Sequence, residues 1–573
     1  MASLLLLYLL SFQLLASSLT TTVLAHSSPP NNKTCHCSPN EPCWPTPQEW
    51  STLNTTLQGR LIPTTPIGTP CHHPFYNEPL CTTLQSTYTD PTTHFQTSSS
   101  PMAPFWANRS CDPFAAPATP CKTGTYVAYA VRVESVSDIT ATLAFVRAKN
   151  IRLVIRNTGH DYLGKSTGKA ALALWMHHLR GFDVLDAYTS QAYTGKAVKI
   201  AAGMMSDEVS ARAHAHGLTV VGGNCASIGL AGGYTQGGGL GLLTSRYGFG
   251  ADQVLEWEVV RVDGGELVKA TPRVNPDLYW ALSGGGGGTF GIVVSMTVKA
   301  YPEERSAAAN LSFSSSGVAL DVFYGAVAAF QNCLPALSEA GGVAIYVVQG
   351  TVFALSPAML PGGSKESLDA LIEPALVKLR SLNMSYAYTS MESPSYHEAY
   401  HAMVSPSETA YFQIGSRVLP QHTLTENSHQ LTQAIRKVNS YGAGVGGLSF
   451  QAPNPNKPTR RNSVNPKFRS SAVSVTVGTI WSNTDWDLNL ANQELMTNVL
   501  IPAIDRVAPG WSTAYLNEVD HQEPEWQKVI YGDTYSRLLS LKTKFDPDHI
   551  LWGRTAVGSE AKTETADGKL CRT

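Results

Sequence analysis

Two glycine-rich turns, each carrying one nucleophilic side chain, constrain this chain more than any other feature. The first is RNTGHDYLGKS, Arg156 to Ser166; the second is GGNCASIGLAGGYTQGGGLG, Gly222 to Gly241. They hold His160 and Cys225 where backbone without side chains can press against a phosphate or a flat ring. A third glycine run, Ser283 to Gly291, follows NPDLYWAL. One such loop is weak evidence. Three within one stretch point to a cradle for a phosphorylated redox cofactor, which His160 and Cys225 are both able to bond. The G-x-G-x-x-G dinucleotide fingerprint matches poorly, because it should follow a first strand, open a helix and be trailed by an acidic residue ~20 positions on.

Residues 1–25 read as a secretory signal, with the apolar core LLLLYLLSFQLLA and the small-residue pattern Val23-Leu24-Ala25. Its apolar run is shorter than the ~20 residues a bilayer span needs. Cysteine usage fits secretion. Cys35, Cys37, Cys43, Cys71, Cys81, Cys111 and Cys121 cluster near the start and suit a disulfide framework. Their number is odd, so one pairs elsewhere, with Cys333 or Cys571, or stays unpaired. Sequons at Asn32, Asn54, Asn108, Asn310 and Asn383 fit the same compartment. A formal net charge of -2 leaves no electrostatic footprint for nucleic acid or an anionic membrane.

Residues 26–123 are rich in Pro, Thr, Ser and Cys, lack helical periodicity and read as a stapled, loop-rich extension. From about residue 124 to 303, strands (YVAYAVRVES, IRLVIRNTG), a helix (DITATLAFVRAKN) and glycine turns alternate. Residues 304–505 hold strands in runs (VAIYVVQGTVFAL, AYFQIGSRVLP, SAVSVTVGTIW) and helices (SLDALIEPALVKLRSL, NSHQLTQAIRKVNSY), which suggests an antiparallel sheet with helices on one face. The polar, proline-interrupted loop within residues 442–468 is a candidate border of a binding site. Residues 506–560 form a C-terminal module ending in a helix closed by Asp546-Pro547-Asp548, and 561–573 form a tail. The fold class is α+β.

The residues just quoted carry a resemblance. Residues 124–303 resemble the PCMH-type FAD-binding domain of the vanillyl-alcohol oxidase superfamily, and the whole chain resembles secreted berberine-bridge-enzyme-like oxidases of the fungal branch. In that family an R-x-x-G-H segment supplies the histidine bonded to the flavin 8α-methyl carbon, and a G-x-C segment supplies the cysteine bonded to flavin carbon 6. Arg156 to His160 and Gly223-Asn224-Cys225 match them. DLYWALSGGGGGTFGIV, Asp277 to Val293, resembles the family's third glycine segment. YLNE, Tyr515 to Glu518, and YSRLLSLKTKFDPDHIL, Tyr535 to Leu551, resemble its terminal module.

The resemblance implies FAD, attached through His160 and also Cys225, which is expected to raise the flavin's potential. Its implied contacts in the first turn are Arg156, Asn157, Thr158, Gly159 and Asp161. In the second turn they are Gly222, Gly223, Gly229, Gly232 and Gly233, joined by Gly291, Ile292 and Asn517. It implies a secreted oxidoreductase that moves a hydride from a small alcohol, sugar or specialised metabolite to FAD, with O2 as the final acceptor. The alternatives are a dehydrogenase with another acceptor and a flavin binder with little turnover. Departures from the family are informative. Plant members read P-T-V-G after the cysteine, against Ala226-Ser227-Ile228-Gly229 here, and Ile228 stands at the family's oxygen gate, where isoleucine can hinder oxygen.

A hydroxyl or amine substrate needs a base. Tyr515 is the first choice as proton acceptor or hydrogen-bond partner. Glu518 is the other candidate, unless YLNEV is a strand that turns it away. Tyr411, Gln413 and Gln451 are further candidates to line the pocket. HEAYH, His397 to His401, spells H-E-x-x-H but has no evident third ligand, so a solvated helix face is expected there and no metal is implied.

Overall fold

The computed structural model describes residues 35–191, 193–406, 408–452 and 462–573. The expected signal segment, the Asn32 sequon and residues 453–461 of the polar loop lie outside the described residues.

Short parallel strands start the first glycine turn. Tyr129–Arg132, Leu172–Trp175 and Leu153–Arg156 pair in parallel in that order, and Leu61–Pro63 adds an antiparallel edge. The helix Val136–Lys149 carries the chain from Tyr129–Arg132 to Leu153–Arg156, and Leu172–Trp175 then inserts between these two strands. Asp138 fastens the start of the helix, accepting from the backbone N–H groups of Glu134 and Ser135 while pairing with Arg60. Asn150, with φ 50°, ends it in a left-handed cap. The helix buries Ile139, Leu143 and Val146 against Leu153, Leu172 and Leu174.

A second sheet of five antiparallel strands follows, ordered Phe182–Thr189, Thr194–Ala201, Ile292–Lys299, Val254–Val260 and Leu267–Ala270. The second and third glycine segments lie between its strands in sequence. The third sheet has seven antiparallel strands, ordered Tyr386–Ser393, Ser306–Ser314, Val352–Pro361, Val343–Gln349, Gly444–Ser449, Ser471–Ile480 and Phe412–Pro420. One face is covered by the helices Leu320–Gln331, Lys365–Ser381 and Ser428–Asn439. Its other face packs Ala308, Val343 and Val418 into a core shared with Leu240, Leu242, Phe249 and Tyr515. The sheet therefore roofs the second glycine turn. The architecture is α+β throughout.

Residues 35–123 differ from the loop-rich expectation. They contain the helices Pro47–Thr56, Glu78–Ser86 and Pro91–Phe95, besides the edge strand. Each helix is started by a side-chain cap, Thr46, Asn77 or Asp90, with proline in its first turn. Disulfides join Cys37 to Cys43, Cys71 to Cys81 and Cys111 to Cys121, and the odd cysteine, Cys35, reaches Cys571. The sequons at Asn108 and Asn383 are exposed. Asn310 is turned inward, its amide donating to Met403 O and its Oδ1 buried, so it does not present itself to a glycan. Among the described residues, no helix is long and apolar enough to cross a membrane.

The C-terminal module returns to the first two sheets through the helix Tyr535–Phe545. Its Lys542 is 1 % exposed and donates to the carboxylate of Asp546, to Thr289 O at the end of the third glycine run and to Leu551 O. Asp546 in turn accepts from the N–H groups of Ile550 and Leu551. Removing one partner of such a pair leaves a buried charge uncompensated. We expect Lys542→Ala to lower stability by about 3–5 kcal/mol, read as a shifted midpoint in chemical denaturation. An unchanged midpoint would show that this network does not hold the module.

Candidate active site

The three glycine segments and the C-terminal module enclose one long cavity of about 250 Å³. Its apolar wall includes Leu153, Ile155, Met176 and Leu551. Two short-range constraints shape the first turn. Gly159 has φ +83°, and a Cβ there would fall 2.3 Å from the Arg156 guanidinium. Asp161 accepts from the backbone N–H groups of Leu163, Lys165 and Ser166 at 3.0, 2.7 and 3.0 Å and from the Ser166 hydroxyl. The loop is thus wound around its own carboxylate. In the second turn, a Cβ on Gly229 would lie 2.3 Å from the Asn157 amide nitrogen, so glycine is required for the turns to touch.

Asn157, Thr158, Gly159, His160 and Asp161 line the cavity, as do Gly223, Cys225, Gly229, Gly232, Gly233, Gly291, Tyr515, Asn517 and Glu518. Three sequence candidates do not. Arg156 lies fully buried behind the wall, donating to His94 O, Thr97 O and Thr158 O, so it braces the turn. Gly222 turns its carbonyl to the Tyr234 hydroxyl at 2.8 Å. Ile292 is paired with Val260 inside the second sheet. Nor do the sheet candidates reach the cavity. Tyr411 is 40 % exposed, Gln413 lines a separate small cavity, and the Gln451 N–H donates to Ser245 Oγ. The flank of the polar loop borders the third glycine run, with Ser463 N–H donating to Ser283 O.

His160 and Cys225 meet across the cavity. Burial by itself lowers the His160 pKa, but a hydrogen bond to Cys225 and the charge there outweigh it and raise the value. Cys225 is not in a disulfide. Tyr515 is buried and receives a 2.8 Å hydrogen bond from the Asn517 amide, which also donates to Gly233 O.

YLNE is a turn, not a strand, and the turn swings Glu518 into the cavity. Burial pushes its carboxyl up to about 7, and the Thr476 hydroxyl, donating at 3.3 Å, pulls it only part of the way back. Sequence reasoning missed Tyr162, Lys165, Trp552 and Gly553, all of which line the cavity. Tyr162 lies near both Cys225 and Glu518 and also walls the smaller cavity. Its place two residues after His160 was the available signal.

The H-E-x-x-H helix, Tyr396–Met403, leaves Glu398 and His401 exposed, as expected. It docks on the helix Ser206–His214, with His401 3.0 Å from Asp207, His397 bonded to Ser210 Oγ and stacked on His214.

The walls carry buried polar atoms without partners: Asn157 Oδ1, His160 Nε2 and Gln236 Oε1. Buried polar groups are rarely left so. A long, half-apolar groove with unpaired polar atoms and glycine-only contacts fits an elongated cofactor with phosphate and ring parts, such as FAD.

Fold and cavity together define an FAD-dependent oxidoreductase. An FAD binding domain family matches residues 127–271, and a berberine and berberine-like family matches residues 514–558. The chain is 48% identical over 551 residues to the FAD-linked oxidoreductase sor8 of Hypocrea jecorina, covering 96% of this chain and 95% of that protein. It is 38% identical over 578 residues to the VAO-type flavoprotein oxidase VAO615 of Thermothelomyces thermophilus, covering 98% and 99%. The crystal structure of the VAO-type flavoprotein MtVAO615 from Myceliophthora thermophila superposes with a TM-score of 0.90 at 37% identity, covering 94% of this chain and all of that one. Berberine bridge enzyme from Eschscholzia californica shares the fold, with a TM-score of 0.65 at 14% identity over 88% of this chain and 98% of its own. The chain belongs to the FAD-linked oxidoreductases of the vanillyl-alcohol oxidase and berberine-bridge-enzyme-like family.

The Glu518 shift has a consequence for stability. A carboxyl whose pKa rises on folding binds more protons in the folded state between its unfolded value of 4.5 and about 7. Stability is therefore lost as pH rises through that window. We expect Glu518→Gln to be neutral at pH 4 and stabilising by about 3 kcal/mol at pH 8, measured as unfolding midpoints at the two pH values.

Proposed function

We propose that this protein is a secreted oxidase of a small, uncharged organic substrate, an alcohol, a sugar or a specialised metabolite, with FAD attached through His160 and Cys225. Bound FAD supplies the hydride acceptor, and O2 is the proposed terminal acceptor, giving hydrogen peroxide. The observation that carries the reading is the meeting of His160, Cys225, Tyr515 and Glu518 around one cavity. Glu518 is the proton acceptor in this reading, supported by a pKa near neutrality, where a general base is most effective. Tyr515, whose own pKa is raised by burial and by the Glu518 charge, stays a neutral phenol that orients the substrate hydroxyl or amine. Tyr162, likewise held protonated by burial, excludes water from the same group.

Glu518 is the acid at this group, and Lys165 is the only Lys or Arg among the described residues lining the cavity. Its charge acts on Asp161 and not on Glu518. Among the described residues a substrate carboxylate would find no Lys or Arg beside Glu518, which favours a neutral substrate. The oxidase reading is supported by the relative named a flavoprotein oxidase. Secretion is supported by four disulfides and by the exposed sequons.

Mass spectrometry of proteolytic fragments should find one flavin joining the peptides that contain His160 and Cys225. Unmodified masses for both peptides in yellow protein would overturn bicovalent attachment. For chemistry, a screen of neutral substrates should bleach the flavin anaerobically, with peroxide released on readmitting air. Bleaching without recovery in air would make the protein a dehydrogenase. Against the substrate so found, Glu518→Gln should slow anaerobic reduction by roughly 10²–10⁴-fold. Because the base must be deprotonated, the wild-type rate should fall as pH drops through about 7, and a flat profile would remove Glu518 from the role.

A further inference from the structure

We propose that the ammonium of Lys165 is the cation that holds the pyrophosphate of the bound cofactor. The proposal rests on the FAD reading and goes beyond it by naming the charge partner. Gly159 to Ser166 satisfies, letter for letter, the spacing G-x-x-x-x-G-K-S of a phosphate-binding loop. In such a loop the backbone amides form a nest for the phosphates and the lysine reaches over them. Here no helix follows the loop, and its second half is already filled. The Asp161 carboxylate takes the amides of Leu163, Lys165 and Ser166 and the Ser166 hydroxyl. Elsewhere in the cradle the Gly223 amide is taken by Ser206 Oγ and the Gly232 amide by Gly229 O. An anion entering this cavity meets the N–H groups of Thr158, Gly159 and His160, which no acceptor among the described residues takes, together with the lysine side chain.

Three further observations converge on Lys165. It is the only Lys or Arg among the described residues lining the cavity. Its ammonium makes no hydrogen bond or ion pair within the described residues, and its one electrostatic partner, Asp161, is saturated by the loop's own donors. Desolvation pulls its pKa down to about 8, still above neutrality, so the group is a half-buried cation without an ion pair among the described residues. Isolated buried charges are costly, and a partner anion relieves that cost. Room for the stem is left by the C-terminal module. A Cβ on Gly553 would come within 3.0 Å of Lys165 Cγ, so glycine there lets the lysine lie along the wall. The FAD pyrophosphate is the cofactor's only multiply charged part, whereas the isoalloxazine and the neutral substrate offer the ammonium no full charge.

The test uses the full chain carrying His160→Ala and Cys225→Ala, so that no covalent bond masks affinity. FAD and riboflavin are titrated against it by fluorescence, with and without a change at Lys165. Lys165→Met should weaken FAD by at least about tenfold, leave riboflavin within about twofold, and flatten the salt dependence of FAD binding. Lys165→Arg should restore most of the loss. Unchanged FAD affinity in Lys165→Met would overturn the proposal, and so would an equal loss for riboflavin, which marks a packing or ring contact. Retained riboflavin binding also certifies that the variant is folded. If the parent chain binds neither flavin, the FAD reading itself fails, a result distinct from any effect of Lys165.

Discussion

A single buried ammonium decides whether the cavity has a closed wall. Lys542 lies under the C-terminal helix and donates at once to Thr289 O, Leu551 O and Asp546. Thr289 ends the third glycine run, and Leu551 bridges to Leu153 at the start of the strand that delivers the first glycine turn. One cation therefore sets the register between segments that are far apart in sequence. The same contact fixes Leu551, Trp552 and Gly553 along the cavity and so the space that Lys165 occupies. Because each lost bond would strand a buried polar group, the module docks in one place.

The roof depends on a different kind of force. The seven-stranded sheet meets the second glycine turn through an apolar core that contains Leu240, Leu242, Phe249, Phe450 and Tyr515. Non-directional burial is enough here, because the polar register is supplied below by Asp161, Asn157 and Lys542. Directional bonds hold the glycine turns, and the seven-stranded sheet is held by area.

How much of this was legible in the sequence follows the range of the interactions. The strand Leu153–Arg156, the helix Val136–Lys149 and the long strands of the third sheet were readable because period-2 and period-3.6 patterns are local. So was the pairing of His160 with Cys225, which rests on motifs. The helices of residues 35–123 were hidden by composition: Thr46-Pro47, Asn77 with Pro79 and Asp90-Pro91 look like loop punctuation, yet each is a capping residue followed by proline in the first turn. Glu518 was named as a candidate, but YLNEV carries no turn signal to say that its side chain faces inward and not away, as on a strand. Arg156, Gly222 and Ile292 sit one layer behind the wall, because a motif marks the turn and not which of its residues face inward. Trp552 and Gly553 were invisible because only the docking at Lys542 brings them near Lys165.

The two ionisable groups that remain in the cavity are placed so that neither cancels the other. Had Lys165 faced Glu518, the ammonium would have held the carboxyl well below neutrality and weakened it as a base. Its charge acts on Asp161 alone, and Glu518 keeps a single weak donor, Thr476. Each group is thus left less satisfied than burial ordinarily tolerates, the cation at one site and the acid at another. That pattern is unfavourable for an empty protein and favourable for one that closes around an anion and a protic substrate. Elsewhere, buried charges such as Lys542 with Asp546 and Arg417 with Asp505 and Glu523 are paired. Lys165 and Glu518 line one cavity without an ion pair, and shifted ionisation of that kind marks a candidate reaction site.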